Sequence, residues 1–175
     1  MSATEWIALA SVIVALCSLG LTLWTAYIAR KHNRLSVTPR LTTWSHMPSS
    51  GDSQGLQLTL INSGIGPAII DKVEIKVDGK AMPGVMAEPI DNALKILLPA
   101  NQFKYRYTRS FFMGYVLSAK EEKTMVQIHF DPTKFPVAAI FDSLTKRTDL
   151  YIEYSSIYGD KFVLDSQENK KRHLA

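Results

Sequence analysis

The sequence predicts one N-terminal transmembrane helix followed by a mainly-β domain. No charged residue occurs from Trp6 to Ala29, a stretch long enough to cross a bilayer. After residue 35, short segments alternate apolar and polar residues, which is the period of a half-buried strand. Glycine turns separate several of them, and no long amphipathic helices alternate with them. We therefore expect an antiparallel Ig-like β-sandwich with one or two short helices.

The apolar stretch has the features of a transmembrane helix. Its 24 residues form a helix about 36 Å long at about 1.5 Å per residue. Trp6 lies at one end, and Trp24 and Tyr27 at the other, where aromatic rings settle at membrane interfaces. A cleaved secretory signal would carry basic residues before its apolar stretch. Here the residues before Trp6 include the acidic Glu5 and no Lys or Arg.

Charge predicts the orientation of the span. Arg30, Lys31, Arg34 and Arg40 follow it, and cytoplasmic flanks carry the excess of Lys and Arg, so the N-terminus is expected outside and the C-terminal domain in the cytoplasm. The predicted organisation is a short extracytoplasmic N-terminus (1–5), the span (6–29), a basic juxtamembrane segment (30–35), the β-sandwich domain (36–165) and a basic C-terminal tail (166–175).

The net charge of +4 does not indicate a nucleic-acid-binding domain. Residues 41–167 carry 13 Lys plus Arg against 14 Asp plus Glu, so the basic excess lies at the two ends of the chain. Such ends interact with anionic lipid or are simply solvated, and both readings stay open. No duplex nucleic acid is expected as a partner. The single cysteine, Cys17, lies in the span and allows no disulfide and no cysteine metal site.

Seven segments are predicted strands. In LQLTLIN, Leu56, Leu58 and Leu60 alternate with polar residues, and KVEIKV alternates in the same way before an Asp-Gly pair typical of a type I′ hairpin. The others are SVTPRLTTW, FKYRY, MVQIHF, DLYIEYSS and KFVLD. The stretches EPIDNALKIL and FFMGYVLSAKEEK are the candidates for short helices, and Asp142 is interpreted as a turn residue.

The stretch NSGIGPAII is the most distinctive local motif of the β domain. Glycines after a strand suggest a phosphate-binding loop, but no Lys-Ser or Lys-Thr follows, so a structural turn is the preferred interpretation. Asn62 is expected to cap its own backbone, Gly64 and Gly66 to take positive φ, and Pro67 to fix the entry into the next strand.

With these motifs the chain resembles a group of bacterial single-pass, membrane-anchored β-sandwich proteins. The resemblance is carried by the order KHNRLSVTPRL, the N-S-G-x-G-P-A turn, and the final IEYSSIYGDKF with its x-Y-G-D hairpin. It implies a bacterial inner-membrane location. By architecture the chain is also similar to small membrane effectors of anti-phage defence, some of which respond to nucleotides, and this implies a nucleotide or a cytosolic protein as regulator.

The stretch FKYRYTR is the candidate ligand-binding segment. Basic residues beside exposed aromatic rings hold phosphates and stack bases, so Lys104, Arg106 and Arg109 with Tyr105 and Tyr107 are the possible contacts. The alternative, which we prefer, is a strand with an aromatic core face and a solvated basic face. His32, His46, His129 and His173 form no metal-type pair, and no nucleophile motif is present, so neither an enzyme nor a cofactor is expected.

Small residues follow a heptad along the span. After Thr4 they are Ala8, Ser11, Ala15, Ser18, Thr22, Thr25 and Ala29. Small residues let transmembrane helices approach closely, so a homo-oligomer is predicted, with this stripe at the helix contact or lining a pore. Two functions compete: an ion-conducting or membrane-perturbing effector controlled by the β domain, and a non-conducting tether that recruits a cytosolic partner.

Overall fold

A computed structural model of the chain describes residues 2–47, 49–50, 53–98, 103–109, 111–130 and 137–167. The chain divides into two compact units, residues 1–37 and 38–175. The first contains the N-terminal helix, and the second contains antiparallel strands with two further helices. The predicted combination of an apolar helix and a β-rich domain is therefore confirmed.

Helix α1 (Ala3–Leu35) forms the first unit. It begins after Ser2, whose backbone N–H donates to the Glu5 carboxylate at 2.8 Å. Its described residues are all exposed, including the leucines, isoleucines and valines of the central turns. It is the one helix in the described part of the chain that is long and apolar enough to cross a membrane, a property that N-terminal signal sequences share.

The first sheet has the strand order β1-β3-β8-β6, and a short strand β2 pairs with β3. Its strands are β1 (Leu41–His46), β2 (Ser49–Ser50), β3 (Ser53–Asn62), β6 (Phe103–Thr108) and β8 (Glu122–Phe130). A register shift between Leu58 and Thr59 interrupts the pairing of β3 with β8. The inner face of β3 carries the predicted Leu56 and Leu60, both buried.

The second sheet has the strand order β10-β9-β4-β5, and β7 pairs with the start of β4. Its strands are β4 (Ala68–Val77), β5 (Lys80–Ala81), β7 (Val116–Leu117), β9 (Thr148–Ser155) and β10 (Lys161–Asp165). Ile75 and Val77 are buried, whereas Lys72 is exposed, as the alternation predicts. The hairpin after β4 turns at Asp78 and Gly79, both with positive φ, which fits the predicted type I′ turn.

Two helices accompany the sheets. Helix α2 (Glu88–Leu97) occupies the predicted EPIDNALKIL stretch and buries Ile90, Ala93 and Leu94. Helix α3 (Val137–Arg147) was not predicted, and it contains Asp142, which was wrongly interpreted as a turn residue. The other candidate helix, FFMGYVLSAKEEK, is wrong: Gly114 turns there with φ +86°, and the chain then forms β7.

Both sheets and both short helices contribute to one hydrophobic core. Leu60 and Ile128 of the first sheet belong to it with Ile70 and Ile152 of the second, and all four side chains are fully buried. Aliphatic side chains of this size each stabilise the fold by about 1.5–3 kcal/mol when they leave water. Among the described residues, every buried side-chain nitrogen and oxygen has a hydrogen-bond partner.

The turn between β3 and β4 is organised by the buried side chain of Asn62. Its Nδ2 donates to the carbonyls of Gly66 (2.8 Å), Leu117 (3.1 Å) and Ser118 (3.1 Å). Its Oδ1 accepts the backbone N–H groups of Arg40 and Gly64, both at 3.1 Å. One amide thus joins the start of β1, the turn itself and the chain around β7.

The two glycines of this turn do not take the positive φ that the sequence suggested. Gly64 is required for a different reason, because a Cβ there would lie 2.6 Å from the carbonyl oxygen of Thr38 and even closer to the Arg40 nitrogen. Glycine therefore allows close backbone approach at this position rather than a left-handed turn.

We expect Asn62→Ala to lower the free energy of unfolding by about 3 kcal/mol, because it leaves buried carbonyl and N–H groups without partners. Chemical denaturation of the reconstituted protein, followed by circular dichroism, measures the change. Asn92→Ala is the matched control, since the Asn92 side chain donates one exposed hydrogen bond, to the carbonyl of Pro83. Equal losses in the two variants would contradict the role of Asn62.

Candidate functional site

An apolar cavity of about 290 Å³, partly open to solvent, lies between the sheets and helices of the β domain. Both sheets and both short helices line it: Leu56, Leu58, Met125 and Val126 come from the first sheet, Ile75 and Leu150 from the second, Ile90, Ala93, Leu94 and Leu97 from α2, and Phe141 and Leu144 from α3. Hydroxyls complete the lining, from Thr43, Ser45, Thr145, Thr148 and Ser166. Within the described part of the chain, none of the lining residues is charged.

The space exists because small residues occupy inward positions. Along β1 the inward side chain after the buried Leu41 is Thr43, and the next is Ser45, so this strand offers no large apolar group at the cavity. On α2, Ala93 faces the same space between larger residues. Leucine in place of Thr43 or Ala93 would occupy part of this space, as Leu60 fills the interior nearer Asn62.

The cavity lining favours an apolar ligand with a small polar group. The Ser166 hydroxyl accepts the Leu150 N–H at 2.8 Å, and Thr145 donates to the Phe141 carbonyl at 2.8 Å, so each of these hydroxyls makes one hydrogen bond within the wall. Concave sites lined mainly by apolar side chains are the usual sites for apolar ligands.

An ion pair holds the end of α3 at the cavity wall. Arg147 places its Nε 2.9 Å from Asp78 Oδ1 and its Nη2 2.5 Å from Oδ2, and the Asp78 N–H donates to the Arg147 carbonyl at 2.8 Å. Hydrogen bonds from the guanidinium lower the pKa of the Asp78 carboxyl and raise the pKa of Arg147. The Asp78–Arg147 ion pair is exposed to solvent, so it positions α3 more than it stabilises the fold.

The lowered pKa of Asp78 makes the strength of the Asp78–Arg147 ion pair depend on pH. The contribution of this ion pair to the free energy of unfolding is present above the ordinary carboxyl pKa and is lost as the pH falls through the lowered pKa of Asp78. We expect Asp78→Asn to have a slightly lower unfolding midpoint than wild type at neutral pH, with a difference that closes in acid. Asp142→Asn, which breaks the more exposed pair with Lys146, is the control with the smaller effect. A pH-independent difference would show that charge is not the cause.

The segment predicted to bind a ligand is only partly within the described residues. The side chains of Lys104, Tyr105 and Arg106 lie outside them. Arg109 donates from Nε to the Tyr107 hydroxyl at 2.8 Å, and its guanidinium lies 5.7 Å from the ring centre. Tyr107 pairs with Gln127, on the face of the sheet opposite to buried Val126 and Ile128. The preferred interpretation of an aromatic core face is therefore wrong for Tyr107.

The hydroxyls of the small-residue stripe bond within α1. Ser11 and Ser18 donate to the carbonyls of Ile7 and Val14, each at 2.8 Å. Thr22 donates to Ser18 at 2.8 Å, and Thr25 to Thr22 at 2.9 Å. Ala8, Ala15 and Ala29 lie exposed on the same helix, as do the basic residues Arg30, Lys31 and Arg34. The hydroxyl protons are thus used internally, which leaves the oxygen lone pairs to accept from a neighbour.

No cluster of three or more His, Cys, Asp or Glu side chains suited to a metal occurs among the described residues. The cavity itself was not anticipated from the sequence. A signal that could have pointed to it is Thr43, a hydroxyl residue at an inward position of the predicted strand SVTPRLTTW. The apolar spacing of Ile140, Phe141 and Leu144 could likewise have indicated α3.

No protein-family model matches the sequence, and no curated protein matches it. The resemblance to membrane-anchored β-sandwich proteins therefore stays a prediction.

Proposed function

We propose that the chain is a membrane-tethered sensor: α1 spans a bacterial inner membrane, and the β domain in the cytoplasm binds a small apolar molecule. The observation that carries this proposal is the uncharged cavity of about 290 Å³ between the sheets and helices. Ligand sites in proteins are typically concave and mostly apolar, with a few placed polar groups, and begin at about 300 Å³.

The exposure of α1 supports the membrane tether. Its 24 uncharged residues from Trp6 to Ala29 lie exposed, and an apolar surface of that length is stable in a lipid core rather than in water. The basic flank after the span supports a cytoplasmic β domain. Tethering raises the effective concentration of the domain near the membrane, where apolar molecules accumulate.

The strand order supports an Ig-like sandwich for the β domain. Labelled A to G in chain order, with β2, β5 and β7 left aside, the long strands give one sheet in the order A-B-E-D and another in the order G-F-C. This is the arrangement of Ig constant-type domains. Such domains present loops at both ends, and the cavity here lies between the sheets under two added helices.

The cavity also supports a choice of ligand class. Among the residues that the structure describes, five hydroxyls and no charged group line it, which favours an uncharged ligand over a nucleotide phosphate. A single alkyl chain or a small ring compound fits both the size and the chemistry. A nucleotide or protein regulator acting at residues 103–109 stays a separate prediction, as does the absence of catalysis.

Photo-crosslinking in lipid nanodiscs tests the ligand proposal. We expect dodecanol carrying a terminal diazirine, an uncharged alkyl probe, to label residues of α2, α3 and β8 that line the cavity. Ala93→Phe fills the space and should reduce this labelling several-fold without lowering the unfolding midpoint. Ala81→Phe adds the same ring at an exposed position and is the control. Labelling confined to α1, or unchanged in Ala93→Phe, would contradict the proposal.

The small-residue stripe supports a second candidate function, a self-associating effector that conducts ions or perturbs the membrane. A role for this effector in anti-phage defence rests on architectural analogy alone. Seven small residues on one heptad face allow close helix approach, and their hydroxyls, which bond within the helix, do not hold the backbones apart. In this function the ligand in the cavity would control the assembled helices.

The mass of the detergent-solubilised protein discriminates the two candidates. If helices assemble through the stripe, Ser18→Leu with Thr22→Leu should convert a defined oligomer to monomer, because the larger side chains separate the backbones. Cys17→Leu with Gly20→Leu changes two small residues off the stripe and should leave the oligomer intact. A monomer in wild type would exclude the effector function and leave the tethered sensor.

A further inference from the structure

One end of the β domain exposes a group of large apolar side chains. It is the end at which the chain arrives from residue 37, and we call it the entry end. Its exposed apolar residues are Ile65, Phe112, Met113, Val116, Ile157 and Tyr158. Met113 is 81% exposed, the highest value among the large hydrophobic residues of the described chain.

Strand pairing brings these residues to the same end. The N–H of Ile65 donates to the Thr38 carbonyl at 3.2 Å, which places the 63–67 turn beside the arriving chain. Val116 pairs with Ile69 at the start of β4, and Ile69 also pairs with Ser155 at the end of β9. The β9–β10 turn, with Ile157 and Tyr158, therefore extends beyond the same edge. The chain after β6 reaches this end as well, because β6 and β8 run antiparallel.

The loop that carries Phe112 and Met113 is fixed to the domain by packing and hydrogen bonds. Phe111 is buried and meets Tyr115 edge-on, with ring centres 5.2 Å apart. The backbone is fixed to β4 by two bonds of 2.8 Å, from the Gly114 N–H to the Ile70 carbonyl and from the Ile70 N–H to the Tyr115 carbonyl. A fixed loop with an exposed apolar tip is typical of an interaction surface.

We infer that the entry end inserts its apolar loops into the cytoplasmic surface of the bilayer. This inference rests on the proposed tether: with residues 6–29 in the membrane, only residues 30–37 separate the lipid from the β domain. Even fully extended, these eight residues reach under about 30 Å. The surface nearest in sequence to the span is therefore the surface with the exposed apolar tips.

A lipid surface fits the chemistry of this end. Phenylalanine and long aliphatic side chains insert into the headgroup and acyl boundary to a depth of about 5–10 Å. Tyr158 contributes an amphipathic ring suited to the same depth. Arg40, Lys120 and Lys161 are exposed at this end and interact favourably with anionic headgroups. Among acidic groups nearby, Glu121 is paired with Lys123 at 2.7 Å and Asp160 accepts from Ser156.

Depth-dependent quenching in reconstituted vesicles tests the inference. Full-length protein with Cys17→Ala receives one new cysteine, Met113→Cys or Met47→Cys, and an environment-sensitive NBD label. Met47 is exposed directly after β1, which starts beside Asn62 at the entry end and runs away from it, so Met47 lies at the opposite end of the domain and is the matched control. In vesicles of phosphatidylcholine and phosphatidylglycerol, lipids with a nitroxide near the headgroup should quench the label at position 113 several-fold more than the label at position 47.

Alkaline carbonate extraction of the same vesicles separates the two proposals. If the protein stays in the membrane but the two labels are quenched equally, the tether stands and the insertion of the entry end is wrong. If the protein is extracted, the tether is wrong and the inference falls with it. A label at Ile157→Cys provides a further readout, because Phe112→Ser with Met113→Ser should reduce its quenching, whereas Met47→Ser should not.

Discussion

The buried amide of Asn62 is the contact on which the arrangement of the β domain depends. The chain crosses from one sheet to the other at the 63–67 turn, and backbone groups of three separate segments meet there. A single planar amide supplies both donors and an acceptor to all of them, so no water is needed to satisfy these groups. Gly64 then allows the segments to approach within backbone contact. The position of the arriving chain, and with it the entry end, follows from this contact.

The two halves of the domain are built differently. Near Asn62 the interior is filled and hydrogen-bonded, and Leu60, Ile70 and Leu117 are completely buried. Toward the β4–β5 hairpin, hydroxyl and alanine side chains lie among the leucines that line the cavity. Natural proteins commonly sacrifice packing stability where a ligand must enter. The filled half thus carries the surface that we propose meets the membrane, and the other half carries the proposed ligand site.

Local patterns predicted most of the elements, because their causes are local. Alternation placed the strands from LQLTLIN to KFVLD, and Asp78-Gly79 specified its own hairpin. The boundaries of α2 coincide with EPIDNALKIL. The errors arose where distant contacts decide: Gly64 is a glycine because of Thr38 and Arg40, which no local rule reveals. The outward placement of Tyr107 depends on its register with Gln127.

The candidate sites were less predictable than the fold for the same reason. A cavity is defined by what several elements fail to fill, and its lining here comes from residues spread between Thr43 and Ser166. The inward hydroxyls of β1 were visible in the sequence, but their meaning required α2 and α3 opposite them. By contrast, the apolar length of α1 is a property of consecutive residues, so the helix was recognised at once.

The pairing of β4 with β9 has a consequence for biosynthesis. Ser155 reaches Asp71 across 84 residues of sequence, so the second sheet cannot close until β9 has been synthesised. Helix α1 leaves the ribosome before the strands, about 110 residues ahead of β9. If α1 enters the membrane as it emerges, the apolar strands of the second sheet remain unpaired close to a lipid surface until β9 follows. Chains already fixed in the membrane are held apart from one another, which protects these strands from aggregation during that delay.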